Sequence, residues 1–317
     1  MDSFRILSTG SYLPEGVMTN EDFEKIIDTS DEWITTRTGI KRRHYVDEGM
    51  WNKDMCVRAA RSALDAAGLE PGDLGGIVVG TVTNEMGVPS VASQVQRELG
   101  IRDAFAFDVN AACSGFMYAL GAAKGLLEED GAPILVCGSE TLSRFMNMED
   151  RASCVLFGDG AGCAIIAPGD NLKYFSLRAV PDDNHTIEIN GMNTHTEDGV
   201  APSYVSLKGK EVYVYSTREA ERALREAFEA VGRPVTDADW FLLHQANARI
   251  IRTAAERLGV PLDKFFINID EVANTSAASV PIALDMMNRQ GLLKKGDLLA
   301  IAAFGGGLTS GAALYEW

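Results

Sequence analysis

Three short apolar segments in the first half of the chain recur in the second half at a nearly constant distance. The segments "GGIVVGT", "AFAFDVNAACSG" and "APILVCGSE" correspond in order to "DWFLLHQ", "KFFINIDEVANTSA" and "DLLAIAAFGGG". Their offsets are 164, 162 or 163, and 164 residues. A fixed offset through three segments indicates an internal duplication, although any α/β protein also repeats a strand and then a helix. We predict two similar halves, residues 1–170 and residues 171–317.

Each half alternates β-branched apolar runs with longer stretches in which apolar residues recur every three or four positions. This alternation is typical of α/β proteins. The clearest helix patterns lie in "TREAERALREAFEAVGR" and "NARIIRTAAERLGVP", and in both a glycine followed by a proline ends the helix. We expect each half to form a mixed sheet with helices, and the two halves to pack into a layered αβαβα body.

The composition restricts where the protein works and what it binds. A formal net charge of −16 disfavours general nucleic-acid binding, because neutralising phosphates requires a basic surface. No apolar run approaches the roughly 18 residues of a membrane span, and the start "MDSFRILSTG" lacks the layout of an export signal. We expect a cytoplasmic protein. The five cysteines form no CxxC pair, which argues against a disulfide framework and a zinc site.

Four candidate functional elements follow predicted strands. Cys113 follows "AFAFDV", His244 ends "DWFLL", Asn274 follows "KFFINI", and the glycines of "FGGG" follow "LLAIAA". In α/β sheets, chemistry collects beyond the carboxyl ends of the strands. If the halves are related by pseudo-symmetry, these four strand ends converge on one pocket.

Cys113 precedes the helix pattern "SGFMYALGAAKGLL", so we expect its thiol at a helix N-terminus. The unsatisfied N–H groups there favour the thiolate, which is the nucleophilic form. The alternative is a buried cysteine that packs as a small apolar residue. We expect such core packing for the other cysteines, namely Cys56, Cys137, Cys154 and Cys163.

His244 and Asn274 also have structural alternatives. An unpaired buried imidazole in "DWFLLHQAN" would be costly, and hydrogen bonds to the backbone would satisfy it. Asn274 in "EVANTSAASVP" suits a turn or a helix cap. Glycines 305–307 let bare backbone approach a ligand and direct an N–H at an oxyanion, or they form only a flexible turn. We interpret "FGDGAG" as a tight turn between strands.

Together these motifs resemble those of the β-ketoacyl-acyl carrier protein synthase III family, which belongs to the thiolase-like condensing enzymes. The resemblance covers nearly the whole chain, through "SDEWITTRTGIKRRH", "DVNAACSGFMYAL", "GSETLSR", "FGDGAG", "WFLLHQANARII", "NTSAASVPIALD" and "FGGGLTSGA". Several motifs in family order are far more specific than any single motif. The resemblance implies a thiolase-like fold, a homodimer, and a reaction that needs no metal or cofactor.

The resemblance also implies a two-stage reaction that initiates fatty acid synthesis. Cys113 takes an acyl group from acyl-coenzyme A as a thioester, and the N–H groups of Cys113 and Gly306 stabilise the oxyanion. Malonyl-acyl carrier protein enters after coenzyme A leaves. His244 and Asn274 then hydrogen-bond its thioester carbonyl while loss of carbon dioxide makes an enolate, which attacks the acyl group on Cys113.

Sites for both substrates follow from the same resemblance. Trp33, Arg37 and Arg151 hold the adenine and phosphate end of coenzyme A, although an isolated Trp and Arg would otherwise suggest surface packing. The acyl carrier protein docks on Arg249 and Arg252. These two residues lie early in a predicted helix, the end at which positive charge is unfavourable, so a separate role for them is expected.

Three residues depart from the family pattern. Ala273 stands where the family usually has glycine before the catalytic asparagine, which is expected to affect that turn. Val214 stands where some members have a docking lysine. Val88 occupies a position that the family contributes across the dimer, where a bulky side chain restricts short primers. We therefore expect the primer pocket to accept longer or branched acyl groups.

Other functions stay open at this point. The protein could transfer the acyl group to a different acceptor, or act as a starter-unit condensing enzyme in polyketide or quinolone synthesis. A thiol hydrolase is less expected, since no carboxylate is obviously placed to orient His244 as a base. A silent acyl-binding subunit is disfavoured because Cys113, His244 and Asn274 are all retained.

Overall fold

The computed structural model describes residues 3–191, 195–196, 199–200 and 203–317. Its strands, in chain order, are β1 (Phe4–Tyr12), β2 (Gly16–Thr19), β3 (Arg42–Tyr45), β4 (Gly76–Gly80), β5 (Phe105–Val109), β6 (Ile134–Glu140), β7 (Gly160–Pro168), β8 (Leu172–Ala179), β9 (Ile187–Ile189), β10 (His195–Thr196), β11 (Gly199–Val200), β12 (Val205–Leu207), β13 (Trp240–Leu243), β14 (Leu298–Gly305) and β15 (Thr309–Glu316). Its helices are α1 (Asn20–Glu24), α2 (Asp31–Thr38), α3 (Asn52–Ala67), α4 (Val91–Leu99), α5 (Gly115–Leu126), α6 (Gly209–Ala230), α7 (Ala248–Leu258), α8 (Ile269–Val272) and α9 (Ser279–Arg289). Across these described ranges, no helix combines the length and the apolar character needed to cross a membrane.

Two sheets share one strand order. The first sheet runs β5-β4-β6-β7-β1, and the second runs β13-β14-β15-β8. β4 and β6 are parallel, as are β13 and β14, while the pairs that follow in each sheet are antiparallel. Strands that correspond in order therefore also correspond in direction, as expected for two duplicated mixed-sheet halves. A division of the chain after residue 170 falls between β7 and β8, and it stays a prediction.

The prediction of a strand over "KFFINI" is wrong, because only one residue of this segment pairs with the sheet. Phe265 forms a single parallel bridge with Phe241, and their rings stack with centroids 4.6 Å apart. The Gln245 side chain then donates to the carbonyl of Phe266 and accepts from the N–H of Asn268, both at 3.2 Å. A side chain thus satisfies the backbone groups that a neighbouring strand would pair. The chain leaves the sheet at this point and α8 begins.

Alternation of side chains along the central strands separates the layers. In β4, Val78 packs with helices α5 and α9 between the two sheets, whereas Ile77 and Val79 pack with α3 and α4 on the outer side. In β14, Ile301 packs with the central helices and Ala300 packs with α6 and α7. The order of layers is therefore α3 and α4, first sheet, α5 and α9, second sheet, α6 and α7. This order confirms the predicted αβαβα body.

The two helices predicted from apolar spacing are present. α7 is capped by the Asn247 side chain and ends at Gly259, whose φ of 69° requires the left-handed region that glycine favours. α6 begins earlier than the predicted stripe, at Gly209, and ends before Gly232 with φ of 68°. Both helices bury their apolar stripes against the second sheet.

Candidate active site

A cavity of about 1400 Å³ is lined by residues from both halves of the chain. Cys113, His244, Asn274 and Gly306 all line it. The structure therefore brings together the four strand ends that the sequence predicted to converge. The other four cysteines are buried among apolar residues of the core, as predicted.

The chain reaches Cys113 through a strained turn. β5 ends at Val109, a single 3-10 turn follows, and α5 begins directly after it. Ala112 has a φ of 47°, an uncommon conformation for a residue with a side chain. The Ser114 hydroxyl donates to the carbonyl of Ala111 at 2.9 Å and closes the turn. Cys113 is thus presented to the cavity at the N-terminal end of the central helix α5.

The electrostatic surroundings of Cys113 differ from the prediction. Burial raises the pKa of its thiol to about 11, and the charge of Glu140 acts in the same direction. A hydrogen bond with the Ser276 side chain lowers the pKa of Cys113, but desolvation outweighs it. Burial therefore opposes the effect predicted for the helix N-terminus, and the thiolate form stays a prediction.

His244 is held as a neutral imidazole. Its backbone N–H donates to the carbonyl of Ala302 at 2.8 Å, which continues the pairing of β13 with β14. Its Nδ1 lies 2.5 Å from Ser279 Oγ at the start of α9, and the edge of the Phe304 ring lies against it with centroids 5.6 Å apart. Burial lowers the pKa of His244 to about 3. The imidazole is paired with a side chain rather than the backbone, and it lines the cavity as an uncharged group.

Asn274 is fixed by its backbone and by its own side chain. Its N–H donates to the carbonyl of Leu156, and its carbonyl accepts from the N–H of Gly158, both at 3.0 Å. Its Oδ1 accepts from the N–H of Ser276 at 2.9 Å, which is the turn role considered from sequence. This bond assigns the amide nitrogen as the end that donates. Ala273 adopts φ 58° and ψ −160°, a region nearly restricted to glycine, so its methyl group introduces strain in this turn.

The motif "FGDGAG" has a different role from the one predicted. It is not a tight turn between strands, because Phe157 forms a parallel bridge with Asn274 and only Gly160 begins a strand. The buried Asp159 carboxylate accepts from the N–H of Val46 and from both the N–H and the hydroxyl of Ser143, at 2.5 to 2.8 Å. This segment anchors the backbone of the candidate catalytic asparagine.

The glycine turn after β14 packs on the nucleophile. A Cβ placed on Gly305 would lie 2.6 Å from the backbone nitrogen of Cys113, so only glycine fits there. A Cβ on Gly306 would make ordinary contacts of 3.4 Å or more. Thr309 Oγ1 lies 2.9 Å from the carbonyls of Ala111 and Gly306, and it links the two turns. Gly305 is thus the glycine whose backbone closely approaches Cys113. The sequence predicted such an approach for the triplet of glycines 305–307 and did not single out this residue.

The three residues expected to bind coenzyme A lie together beside the cavity. The guanidinium carbons of Arg37 and Arg151 lie 4.7 and 4.8 Å from the ring centroid of Trp33. Arg151 also donates to the carbonyl of Asp28 at 2.8 Å. Arg37 lines the cavity itself. An aromatic surface and two cations suit a stacked base and a phosphate.

Arg249 and Arg252 are exposed on α7. Arg249 lines the mouth of the cavity, and its guanidinium lies 5.4 Å from the ring centroid of Tyr213. The cap residue Asn247 donates its amide to the carbonyl of Arg37 at 3.0 Å. The α7 surface and the Trp33 cluster therefore adjoin the same entrance.

Val88 and Val214 are both exposed in the single chain. Val88 is 83% exposed and does not line the cavity, whereas Thr83, Asn84 and Glu85 of the same loop do line it. Val214 is 38% exposed on α6. Val88 thus does not contribute to its own chain's cavity, and its role as a primer-pocket residue stays a prediction.

Sequence reasoning missed several polar residues that support the site. Ser279 contacts His244, and Ser276 contacts the buried Glu140. Glu140 stands at the end of β6, where a charged residue after "ILVCGS" was a usable signal. Arg144 lies 3.9 Å from the ring centroid of Trp51, and both line the cavity. In the described ranges, no three His, Cys, Asp or Glu side chains group as a metal site would need.

Two sheets of one topology enclose a cavity in which one half supplies a cysteine and the other supplies two uncharged hydrogen-bonding side chains. This combination defines a thiolase-like condensing enzyme.

Comparison with known proteins specifies the family. Residues 107–180 match the family described as 3-oxoacyl-[acyl-carrier-protein] synthase III, and residues 228–317 match its C-terminal domain. A relative from Caldanaerobacter subterraneus subsp. tengcongensis, named beta-ketoacyl-[acyl-carrier-protein] synthase III, is 43% identical over 98% of this chain and 97% of its own. The chain belongs to the β-ketoacyl-acyl carrier protein synthase III family.

Solved structures agree with this assignment. The 3-oxoacyl-[acyl-carrier-protein] synthase III from Aquifex aeolicus VF5 has a TM-score of 0.92 and 41% identity, over 99% of this chain and 100% of its own. The priming β-ketosynthase from the R1128 polyketide biosynthetic pathway has a TM-score of 0.91 and 33% identity, over 99% of this chain and 96% of its own.

Proposed function

We propose that Cys113, His244 and Asn274 carry out a decarboxylative condensation of an acyl-coenzyme A primer with malonyl-acyl carrier protein. The products are 3-ketoacyl-acyl carrier protein, coenzyme A and carbon dioxide, which initiates fatty acid synthesis. The observation that carries this proposal is that the three side chains line one cavity and that His244 is neutral there. The reaction needs no metal or other cofactor.

In the first stage, Cys113 attacks the thioester carbonyl of the primer. The N–H groups of Cys113 and Gly306 stabilise the oxyanion that develops on the carbonyl oxygen. The close packing of Gly305 on the Cys113 nitrogen supports this role, because it holds the two turns in one arrangement. Coenzyme A then leaves, and the acyl group stays on Cys113 as a thioester.

In the second stage, His244 and Asn274 donate hydrogen bonds to the thioester carbonyl of the malonyl group. Loss of carbon dioxide makes an enolate, whose negative charge develops on that oxygen. Two neutral donors stabilise this charge without placing a net charge in the buried cavity beforehand. The lowered pKa of His244 supports its role as a hydrogen-bond donor rather than as a cation.

Coenzyme A binds with its adenine against Trp33 and its phosphates near Arg37 and Arg151. The acyl carrier protein docks on Arg249 and Arg252, a local basic patch on a chain with a net charge of −16. An Arg249→Glu substitution is expected to raise KM for malonyl carrier, more so at low salt, and to leave acylation by acyl-coenzyme A unchanged. Arg97→Glu, at an exposed position that does not line the cavity, is the matched control. Equal effects of the two substitutions on KM would show that Arg249 is not part of the docking site.

We further propose a cytoplasmic homodimer in which residues 1–170 and 171–317 form the two duplicated halves of each chain. Strand β5 is an edge strand of its sheet and keeps partly exposed apolar side chains, and such an edge favours pairing with another chain. Exposed Val88 then reaches the primer pocket of the partner. Because valine is small, the pocket accepts longer or branched primers, and a strict preference for acetyl-coenzyme A would contradict this.

The test incubates the protein with acetyl-, isobutyryl- and octanoyl-coenzyme A, with and without malonyl-acyl carrier protein. Intact mass reports acylation, released carbon dioxide reports condensation, and Cys113→Ala is the control. The proposal expects acylation that depends on Cys113, and carbon dioxide only when malonyl carrier is present. Carbon dioxide released equally by the Cys113→Ala variant and the wild type, with no acyl-enzyme, would refute it.

A second candidate is a starter-unit condensing enzyme of secondary metabolism. It is favoured by the likeness to the R1128 priming β-ketosynthase, at 33% identity. Primer preference and carrier identity separate the two functions. Acylation without carbon dioxide release would instead favour an acyltransferase with another acceptor, and no acylation at all would favour a silent acyl-binding subunit.

A further inference from the structure

The hydroxyl group of Thr309 joins the two turns that carry the proposed oxyanion donors. Thr309 begins β15 and lines the cavity. Its Oγ1 lies 2.9 Å from the carbonyl oxygen of Gly306 and 2.9 Å from that of Ala111, two residues before Cys113. These carbonyls belong to the turns that follow β14 and β5, so one hydroxyl connects strand ends from both sheets.

Ser114 restricts the orientation of this hydroxyl. Ser114 is fully buried, and its Oγ lies 2.6 Å from Thr309 Oγ1. The carbonyl of Ala111 accepts from the Ser114 hydroxyl at 2.9 Å and from the Ser114 N–H at 3.1 Å. Because Ser114 satisfies that carbonyl, the Thr309 hydroxyl is free to donate to the carbonyl of Gly306.

The peptide group between Gly305 and Gly306 contains the Gly306 N–H and needs a restraint at each end. At Gly305 the restraint is steric, because a Cβ there would lie 2.6 Å from the backbone nitrogen of Cys113. At Gly306 a Cβ would make only ordinary contacts of 3.4 Å or more, so packing does not fix its backbone. The contact of Thr309 with the Gly306 carbonyl supplies the second restraint. Among the described residues, no hydrogen bond occupies the N–H of Gly306, which leaves it available to a ligand.

The backbone of Thr309 is itself held in place. It pairs with Ala179 of β8, and the Tyr215 hydroxyl donates to its carbonyl at 3.3 Å. The next residue, Ser310, donates its hydroxyl to the buried Glu219 at 2.6 Å. Since successive side chains of a strand point to opposite faces, Thr309 contacts the site while Ser310 contacts α6. Thr309 therefore holds the glycine turn from a paired strand.

We propose that Thr309 is a positioning residue that holds the N–H groups of Gly306 and Cys113 at the spacing that an oxyanion requires. The inference rests on the acylation of Cys113 proposed above. In that step the sulfur bonds to the thioester carbonyl carbon, and an electron pair of the C=O bond moves to the oxygen. The pair returns as the bond from that carbon to the sulfur of coenzyme A breaks. Cys113 loses its thiol proton, and the departing coenzyme A gains one.

The test compares Thr309→Val with Thr309→Ser in acylation by acetyl-coenzyme A without malonyl carrier. Valine keeps the branched shape and removes the hydroxyl, whereas serine keeps the hydroxyl and removes the methyl group. In Thr309→Val, we expect the saturating rate, read by rapid quenching and intact mass, to fall about 10- to 100-fold, less than the roughly 100- to 1,000-fold loss on deleting a donor. The half-saturating concentration stays within about twofold, because the donors act on the transition state. Thr309→Ser keeps the wild-type rate within about threefold, because its hydroxyl is retained.

Two controls separate this role from a loss of stability and from a displaced thiol. Ser310→Ala removes the neighbouring hydroxyl, so it is expected to lower thermal stability and to keep the acylation rate. Alkylation of Cys113 by iodoacetamide attacks a saturated carbon and forms no oxyanion, so Thr309→Val is expected to keep the wild-type alkylation rate. Equal losses in acylation and alkylation, or a loss in Thr309→Ser as large as that in Thr309→Val, would overturn the positioning role.

An activated ester, p-nitrophenyl acetate, distinguishes failure of this inference from failure of the proposed function. Its acetyl group also reaches Cys113 through a tetrahedral oxyanion, with nitrophenolate as the leaving group, and it needs no coenzyme A site. If only the ester acylates the wild type, and Thr309→Val lowers that rate while Thr309→Ser keeps it, the proposed function fails and the positioning role stands. If acetyl-coenzyme A acylates the wild type and Thr309→Val at equal rates, the positioning role is overturned and the proposed function stands.

Discussion

Replacing Ser279 with alanine is expected to slow condensation while leaving acylation of Cys113 intact. Ser279 Oγ accepts from the N–H of Gln245 at 3.4 Å and lies 2.5 Å from His244 Nδ1, and we predict that its hydroxyl hydrogen is donated to Nδ1. This arrangement makes Nδ1 the acceptor and places the imidazole proton on Nε2, the nitrogen available to the malonyl carbonyl. Without Ser279, nothing selects that tautomer, and a ring with its proton on Nδ1 cannot donate to the enolate.

The size of the effect follows from burial. Ser279 is fully buried and His244 is 1% exposed, so water does not replace the lost hydroxyl. Leaving a buried polar atom unpaired costs about 1 to 3 kcal/mol. If that cost falls on the hydrogen bonding that stabilises the enolate, condensation slows by about 5- to 150-fold.

A single-turnover assay separates the two stages. Enzyme acylated in advance is mixed with malonyl-acyl carrier protein, and carbon dioxide and 3-ketoacyl carrier are followed, while acylation by acyl-coenzyme A alone is measured separately. Ser8→Ala is the control, because Ser8 Oγ donates to the carbonyl of Ala63 at 2.7 Å in a buried site outside the cavity. Both variants are expected to lose stability, but only Ser279→Ala is expected to lose condensation. A wild-type condensation rate in Ser279→Ala would refute the tautomer argument.

Three further predictions follow from packing and charge. Gly305→Ala is expected to abolish acylation because its Cβ would lie 2.6 Å from the Cys113 nitrogen, whereas Gly306→Ala, measured by the same intact-mass assay, retains a folded site; equal activities would contradict this. The pKa of Glu140 rises from 4.5 to about 7 on burial, so its stabilising contribution is present below pH 4.5 and is lost as the pH rises through 7. The free energy of unfolding of Glu140→Gln, measured with denaturant, should therefore rise by about 3 kcal/mol relative to that of the wild type between acid and alkaline pH. A difference in unfolding free energy that does not change with pH would contradict this. Ala273→Val is expected to lower the free energy of unfolding by about 2 kcal/mol, because a branched side chain is disfavoured at φ 58°. Ala273→Gly relieves the strain of the methyl group and is expected to be at least as stable as the parent and to keep condensation. A valine variant as stable as the parent would contradict the strain.

The fold was predictable from sequence wherever a periodic pattern carried it. The repeated apolar runs gave both sheets and the layered body, and glycines ended α6 and α7 as expected. The strand in "KFFINI" failed because a side chain, that of Gln245, replaced the pairing strand. Periodicity describes apolar faces, and it contains no information about a long-range hydrogen bond from one amide side chain.

The candidate site was predictable in its members but not in its electrostatics. Residues at strand ends located Cys113, His244 and Asn274, which line one cavity. Burial raises the pKa of the Cys113 thiol, against the direction predicted from the helix N-terminus, because helix position is visible in sequence and desolvation is not. Ser276 and Ser279 contact the site only through turns that bring distant segments together. Contacts of this kind depend on tertiary geometry and leave no local pattern.

The departure from symmetry at Gln245 has a consequence for assembly size. A perfectly duplicated chain would present two equivalent open strand edges at this end of the molecule, one in each half. Here β5 keeps its edge open, while the corresponding segment after Phe265 is tied to Gln245 and turns away into α8. If two copies pair through this edge, as proposed for the homodimer, the contact is self-complementary and closes once two copies have met. Under that proposal, the glutamine that shortens one sheet also disfavours head-to-tail growth into an open polymer along this edge.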